Sequence, residues 1–308
     1  MRKFENWRWL VACLALIAML GAACGSDDKK TDGGTDSGGD AAAMHDIPAG
    51  STMAKIQEKG EIVIGVKFDV PPFGFVKPGE KEPQGFDVEI GKIIADHLDV
   101  EPKFIEAISD NRIPFLKDGT VDVILSTMTI TTDRDAEVDF AGPYFIAHQR
   151  ILVPKGSDIA GLEDLGGKQV CTVTGSTGEA TLKAKAKDAK RRTVDAYSEC
   201  LELLQNGAVD AEISDDVILT GQVIQDDSLE LVGEPITTEP YGIGLPDGET
   251  DMQDFVNEVL DSIYADGTWD DLYQEWVGQY TGAEADDPQR VSLEDAFKLF
   301  PCVEFCKK

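Results

Sequence analysis

Residues 121–144, VDVILSTMTITTDRDAEVDFAGPY, hold the densest set of groups able to do chemistry in this 308-residue chain. An apolar run at 121–125, short enough for a buried strand, passes into five hydroxyl residues within 126–132, and Arg134 follows. A carboxylate needs several converging donors. Guanidinium supplies a planar fork that matches its two oxygens, while hydroxyls and backbone N–H groups supply the rest. A strand end, the hydroxyls of Ser126, Thr127 and Thr129, and Arg134 thus describe an anion receptor. An ordinary Ser/Thr-rich turn beside a solvated arginine fits the same spacing.

Three other stretches could join it. Residues 62–66 alternate as a buried strand and end in Lys67-Phe68-Asp69, after which Pro71-Pro72 forces a loop carrying Phe73 and Phe75 as an aromatic wall. Ser109-Asp110-Asn111-Arg112 reads as an N-cap at Ser109 with Arg112 in the first helical turn. A cation there opposes the helix dipole, so it wants a further reason to be present; a surface ion pair is the alternative. Thr174-Gly175-Ser176-Thr177 is a Gly turn with hydroxyls that opens a helix near Gly178, whose N–H groups could bind an anion or simply be capped.

These groups need elements to hold them. A short helix at 53–59 stopped by Gly60, the strand 62–66, the Pro loop, and a helix burying Phe86, Ile90, Ile93, Ile94 and Leu98 at helical spacing make a first α/β unit. Residues 252–276 read as two helices in which Trp269, Tyr273 and Trp276 serve the core. In the tail, Ser292 caps a short amphipathic helix with Leu293, Phe297 and Phe300 on one face, packed on the rest of the chain or docked on a partner.

The first residues carry Arg2, Lys3 and Arg8 before an apolar run that ends in Gly21-Ala22-Ala23-Cys24, the plan of a secretory signal and too short to span a membrane comfortably. A cysteine after small residues resembles a bacterial lipobox, which implies a signal peptide over 1–23 and a lipid on Cys24, although Gly21 departs from the usual leucine. Residues 24–45 are small and polar, a flexible tether. The formal net charge of −30 excludes nucleic acid as a partner. It permits an anionic ligand, because screening acts over roughly 8 Å and a lined cleft sets its own potential. Three scattered histidines, at 45, 97 and 148, form no ligand cluster, so no metal and no cofactor are expected.

Gly85-Phe86-Asp87-Val88-Glu89-Ile90, followed by Ile94, Ala95 and Leu98, resembles the signature of the family 3 extracellular solute-binding proteins, which serve ABC importers of polar amino acids. VKFD at 66–69, SDNRIPFLKDGTVD at 109–122, TITTDR at 129–134, VDFAGPY at 138–144, VCTVTGST at 170–177 and EPYGIGL at 239–245 follow in family order. NRIPFL and CTVTGST look most like the glutamate/aspartate branch.

The resemblance implies an α/β fold of two lobes, each a mixed sheet flanked by helices, with the ligand between them (the type II periplasmic-binding-protein fold). Lobe 1 would cover 46–145 and 237–282, lobe 2 would cover 146–236, and 283–308 would be an extension. It places the α-carboxylate on Arg134 with Thr129 and the Thr127 backbone, and the α-ammonium on Asp215, with Asp216 as a possible sharer. Ser109 and Arg112 would reach a side-chain carboxylate, joined by Lys67, Asp69, Phe73, Ser126, Thr174, Ser176 and Thr177. Two or three cations against one acid would suit glutamate or aspartate. Cys171 and Cys200 match cysteines of the acidic branch, and a bridge would add about 3 kcal/mol. Cys302 and Cys306 are expected to pair with each other in an oxidising compartment.

The implied protein is no enzyme. It is a monomeric, extracytoplasmic, lipid-anchored receptor whose partners are an amino acid, the membrane and an ABC permease. A cyclohexadienyl-dehydratase-like enzyme using Glu179 as acid, and the ligand-binding subunit of a sensor, are the rival readings.

Overall fold

The computed structural model describes residues 47–282, 288 and 291–300. The expected signal peptide, the tether, Cys24 and the Cys302/Cys306 pair lie outside the described residues.

In chain order the elements begin with α1 (Thr52–Lys59), β1 (Glu61–Val66), β2 (Asp69–Val70), β3 (Gly74–Phe75), α2 (Phe86–His97), β4 (Glu101–Glu106), α3 (Arg112–Asp118), β5 (Val123–Ile124) and α4 (Thr132–Asp135). The long strand β6 (Asp139–Pro154) leads to β7 (Gln169–Val173), α5 (Thr177–Lys185), β8 (Lys190–Val194), α6 (Tyr197–Gln205), β9 (Ala211–Asp215), α7 (Asp216–Gln225) and β10 (Leu229–Val232). The chain then runs through β11 (Thr238–Leu245), α8 (Thr250–Ala265), α9 (Thr268–Tyr273), a π turn at Gln274–Gly278, α10 (Gln279–Thr281) and α11 (Leu293–Leu299).

Among the described residues one curled sheet has the order β4-β1-β5-β11-β6-β9-β7-β8, with β10 also on β6. β6 and β11 divide it. From Asp139 to His148 β6 pairs antiparallel with β11, and from Gln149 to Leu152 it pairs with β9. On one side β1 lies parallel to β4 and β5; on the other, β7 lies parallel to β8 and β9. Parallel pairs need helical crossovers, which cover the sheet faces. The result is the expected two-lobe α/β fold, joined by two crossing strands.

Local signals set several boundaries. Ser51 accepts from Ala54 N–H to start α1, and Gly60, at φ +72°, ends it in the left-handed conformation that glycine adopts without strain. Ser176 accepts from Glu179 N–H to cap α5, and Ser292 caps α11 in the same way. The apolar run at 121–125 yields a strand of only two residues, since Asp122 turns its carboxylate back onto Val63 N–H.

An aromatic cluster fills the joint beneath the crossing strands. Phe73 meets Phe86, Phe145 and Tyr241 edge-on at centroid distances of 5.6, 5.0 and 5.8 Å, and Trp269 stacks on Tyr273 at 5.5 Å. Such pairs contribute about 0.5–1.5 kcal/mol each beyond their buried area. In the second lobe Cys171 and Cys200 are disulfide-bonded, with Cα atoms 5.7 Å apart, tying β7 to α6.

Candidate functional site

The loops after β1, β4 and β5 converge where β11 crosses, and they carry three cations. Lys67, 1% exposed at the end of β1, donates from Nζ to Ala107 O and Ser109 Oγ, both at 3.1 Å. Ser126 Oγ also donates to Ala107 O, at 2.8 Å. Burial and the nearby Arg112 push the Lys67 ammonium well below the usual lysine range.

Arg112, 2% exposed, opens α3. Its Nε donates to Ser109 O, Nη1 to Ser126 O and Thr127 O, and Nη2 to Gly175 O of the other lobe at 3.4 Å. Ser109 was expected as the cap of this helix. Asn111 stands at that position instead, without a side-chain bond, because the Ser109 hydroxyl is taken by Lys67.

Arg134 sits in α4, a single turn held by Thr131 Oγ accepting from Arg134 N–H. Its Nη1 donates to Thr129 O at 2.6 Å and Nη2 to Gly175 O at 3.1 Å. Burial and Arg112 lower its pKa, while Glu239 and Asp215 hold it up. Both guanidiniums therefore reach one carbonyl across the cleft. Gly175 permits this: at φ +73° a Cβ would stand 2.9 Å from Asp110 Cα.

The acids are more numerous than the expected tally of one. Asp215, at the end of β9, accepts from Tyr241 OH at 2.6 Å, and its pKa is raised to about 6, chiefly by burial. Asp87, near the start of α2, accepts from Tyr144 OH at 2.7 Å and Thr127 N–H at 3.1 Å, and burial lifts it to about 6. Glu239 on β11 accepts from Thr129 Oγ1 at 2.7 Å and from Thr237 and Thr177. Burial and Asp215 raise it to about 8. Three cations thus face three acids. Asp87, Glu239 and the two tyrosines were not singled out in the sequence; the available signal was Glu239 as the one acid of β11. Asp216 is turned away, accepting from His148 N–H at 3.1 Å.

The remaining expected residues scatter. Thr127 (φ +44°) lies at the strained bend beneath Arg112, its Oγ1 buried without a partner. Thr177 is buried against Glu239, Ser176 is the α5 cap, and Thr174 Oγ1 donates to Val194 O. Two placements differ from expectation. Phe73 belongs to the aromatic core, fully buried behind Tyr241, and Phe75 faces Trp276 instead of the cleft. Asp69 accepts from Ser198 N–H at 3.0 Å in the first turn of α6, where a carboxylate suits the helix end, so it closes the lobes together. Glu179 on α5 is engaged by Lys183 of the same helix at 3.2 Å and by Arg191 of β8 at 3.9 Å. Among the described residues no cluster of His, Cys, Asp and Glu could hold a metal, and no helix is long and apolar enough to cross a membrane.

A cleft between two α/β lobes, lined with buried charges of both signs and crossed by hydrogen bonds from both arginines, defines a receptor for a small polar solute. The chain belongs to the bacterial extracellular solute-binding proteins, family 3, which match it over residues 62–279. It is 38% identical over 272 residues to the ABC transporter glutamine-binding protein GlnH of Bacillus subtilis (strain 168), covering 87% of this chain and 95% of the relative. It is 34% identical over 254 residues to the glutamate-binding protein GluB of Corynebacterium efficiens, covering 77% and 85%. An ancestral arginine-binding protein bound to arginine superposes with a TM-score of 0.68 at 39% identity, covering 71% of this chain and 99% of that one.

Proposed function

We propose that this chain is the amino-acid-binding component of an ABC importer and that it takes an acidic amino acid, glutamate or aspartate. The observation that carries the reading is the opposition of Arg134 and Asp215, a cation from one lobe and an anion from the other, within one cleft. A zwitterion placed between them has its α-carboxylate at Arg134 and its α-ammonium at Asp215. Ligand meets Arg134 first, and closure brings Thr177 and Asp215 over it, a hinge motion about β6 and β11. The closed pair of lobes is then the form offered to the permease, near the membrane through a lipid on Cys24.

Support for an acidic side chain comes from Lys67, whose affinity for its proton is lowered by burial and by Arg112, and from Arg112, lowered by burial; an added carboxylate relieves both. Glu239, lifted to about 8 by burial and Asp215, opposes less negative charge to these cations than an ordinary carboxylate would. A second reading is a neutral amide such as glutamine. It is favoured by Arg112, which already gives four N–H groups to carbonyls, and by the name of the Bacillus relative.

Calorimetry with glutamate, aspartate, glutamine, asparagine and arginine separates them. Tight binding of the acids, lost preferentially in Lys67→Gln and Arg112→Lys, is the expected result. Glutamine binding without glutamate binding removes the acidic assignment, and no binding by any of the five removes the amino-acid reading. Labelled palmitate incorporated into the wild type but not into Cys24→Ser tests the anchor.

A further inference from the structure

We propose that the C-terminal helix α11 is part of the binding apparatus: it braces the hydroxyl segment from behind and carries Phe300 to the cleft mouth as a wall that slows ligand exchange. This rests on the reading of the cleft given above. The family match ends at residue 279, so α11 lies beyond the matched region.

The bracing is visible in the packing. Ala296, fully buried, joins an apolar cluster that contains Met128, Ile130, Val138 and Phe140, with Leu293 and Phe297 packed against it. Met128 and Ile130 alternate with Thr127, Thr129 and Thr131, so one face of this segment meets the tail while the other presents Thr129 to Glu239. Closely packed neighbours transmit displacement, so the tail helps fix where Arg134 stands.

Phe300, 4% exposed, ends α11. Its side chain shares a cavity of about 220 Å³ with Thr131 and Arg134 from one lobe and with Ser176, Thr177, Ala180 and Lys183 from the other. A large apolar side chain buried at a polar, charged opening is placed there by the capped helix behind it, with Ser292 accepting from Asp295 N–H. Separation of the lobes strips Phe300 of that enclosure and exposes its ring, so its burial favours the closed form and opposes release.

The test uses the full chain and Phe300→Ala. Without any amino acid, amide exchange at residues 180–183 of α5 is expected to quicken by on the order of tenfold, as local opening becomes easier. With bound amino acid, dissociation followed by stopped-flow fluorescence is expected to be about tenfold faster, equivalent to about 1.4 kcal/mol. Phe300→Leu, which keeps an apolar side chain, should give smaller shifts of the same sign and serves if Phe300→Ala fails to fold. Unchanged exchange on α5, or an unchanged dissociation rate, overturns the proposal. If the wild type binds no amino acid, the functional reading falls, while the exchange result still decides whether Phe300 holds α5.

Discussion

Arg112 and Arg134 stand on the same lobe and donate to the same Gly175 carbonyl, yet their surroundings differ in kind. Arg112 is almost wholly buried and gives four N–H groups to four carbonyls, two of them in the strained bend at Ser126 and Thr127. Arg134 is half-buried and gives two, one to Thr129 and one to Gly175, with Asp215 and Glu239 as its opposite charges. A guanidinium with four of its five N–H groups on carbonyls pins the backbone and keeps its charge and one N–H for a side-chain carboxylate, whereas one with three N–H groups to spare at a cleft mouth can receive an α-carboxylate. Two identical side chains 22 positions apart are therefore assigned different work by what surrounds them.

That contrast can be broken by experiment. Arg134→Ala should cost about 2–5 kcal/mol of ligand binding with little loss of thermal stability, because it removes one partner of a desolvated charge pair. Calorimetric affinity unchanged within error would take Arg134 out of the site. Arg112→Ala should add a cost that Arg134→Ala lacks, losing on the order of 3 kcal/mol of folding stability in denaturant titration as buried carbonyls are left unmatched. A variant that melted like the wild type would mean that Arg112 does not pin the bend.

Closure itself can be probed where the lobes meet. Gly221 on α7 would place a Cβ 1.7 Å from Pro71 O, so Gly221→Ala must push that loop away. The expected cost to binding is about 1–3 kcal/mol, with scattering of the liganded protein showing a more open form. Unchanged affinity and shape would mean that the Pro71 contact plays no part in closure.

The smallest effect expected is in pH dependence. Burial sets Asp87 and Asp215 near 6 and Glu239 near 8, so the folded chain keeps protons that the unfolded chain releases near 4. Above the unfolded values the folded state binds more protons, and stability from these groups declines as pH rises through 6 and then 8. The melting temperature of the unliganded protein should fall between pH 5 and 8, and Glu239→Gln should flatten the upper part of that fall. A rise with pH instead would mean that the lowered Lys67 ammonium, whose contribution runs the opposite way, outweighs these acids.

Legibility in the sequence followed the range of the forces. Gly60 at the end of α1, the apolar spacing of α2, and Ser292 ahead of α11 are settled within a few residues, and each could be read directly. Arg134 and the hydroxyl run were legible as a receptor because donor chemistry is a property of residue type. Ser109 looked like a cap and became a ligand of Lys67, 42 positions away, while Phe73 looked like a cleft wall and became core. Asp69 went to the end of a helix 129 positions on. None of these partners is adjacent in the chain, so no local pattern could report them.

The alternation of strands and helices and the segment rich in hydroxyls follow from residue order alone, since period, capping and side-chain chemistry are local. The charge balance of the cleft came from folding. Crossing β6 and β11 brought Glu239 to Thr129 and Tyr241 to Asp215, and put Gly175 within reach of both arginines. Whether a buried charge binds backbone or waits for a ligand depends on acceptors supplied by distant segments, and those are placed only when the chain folds.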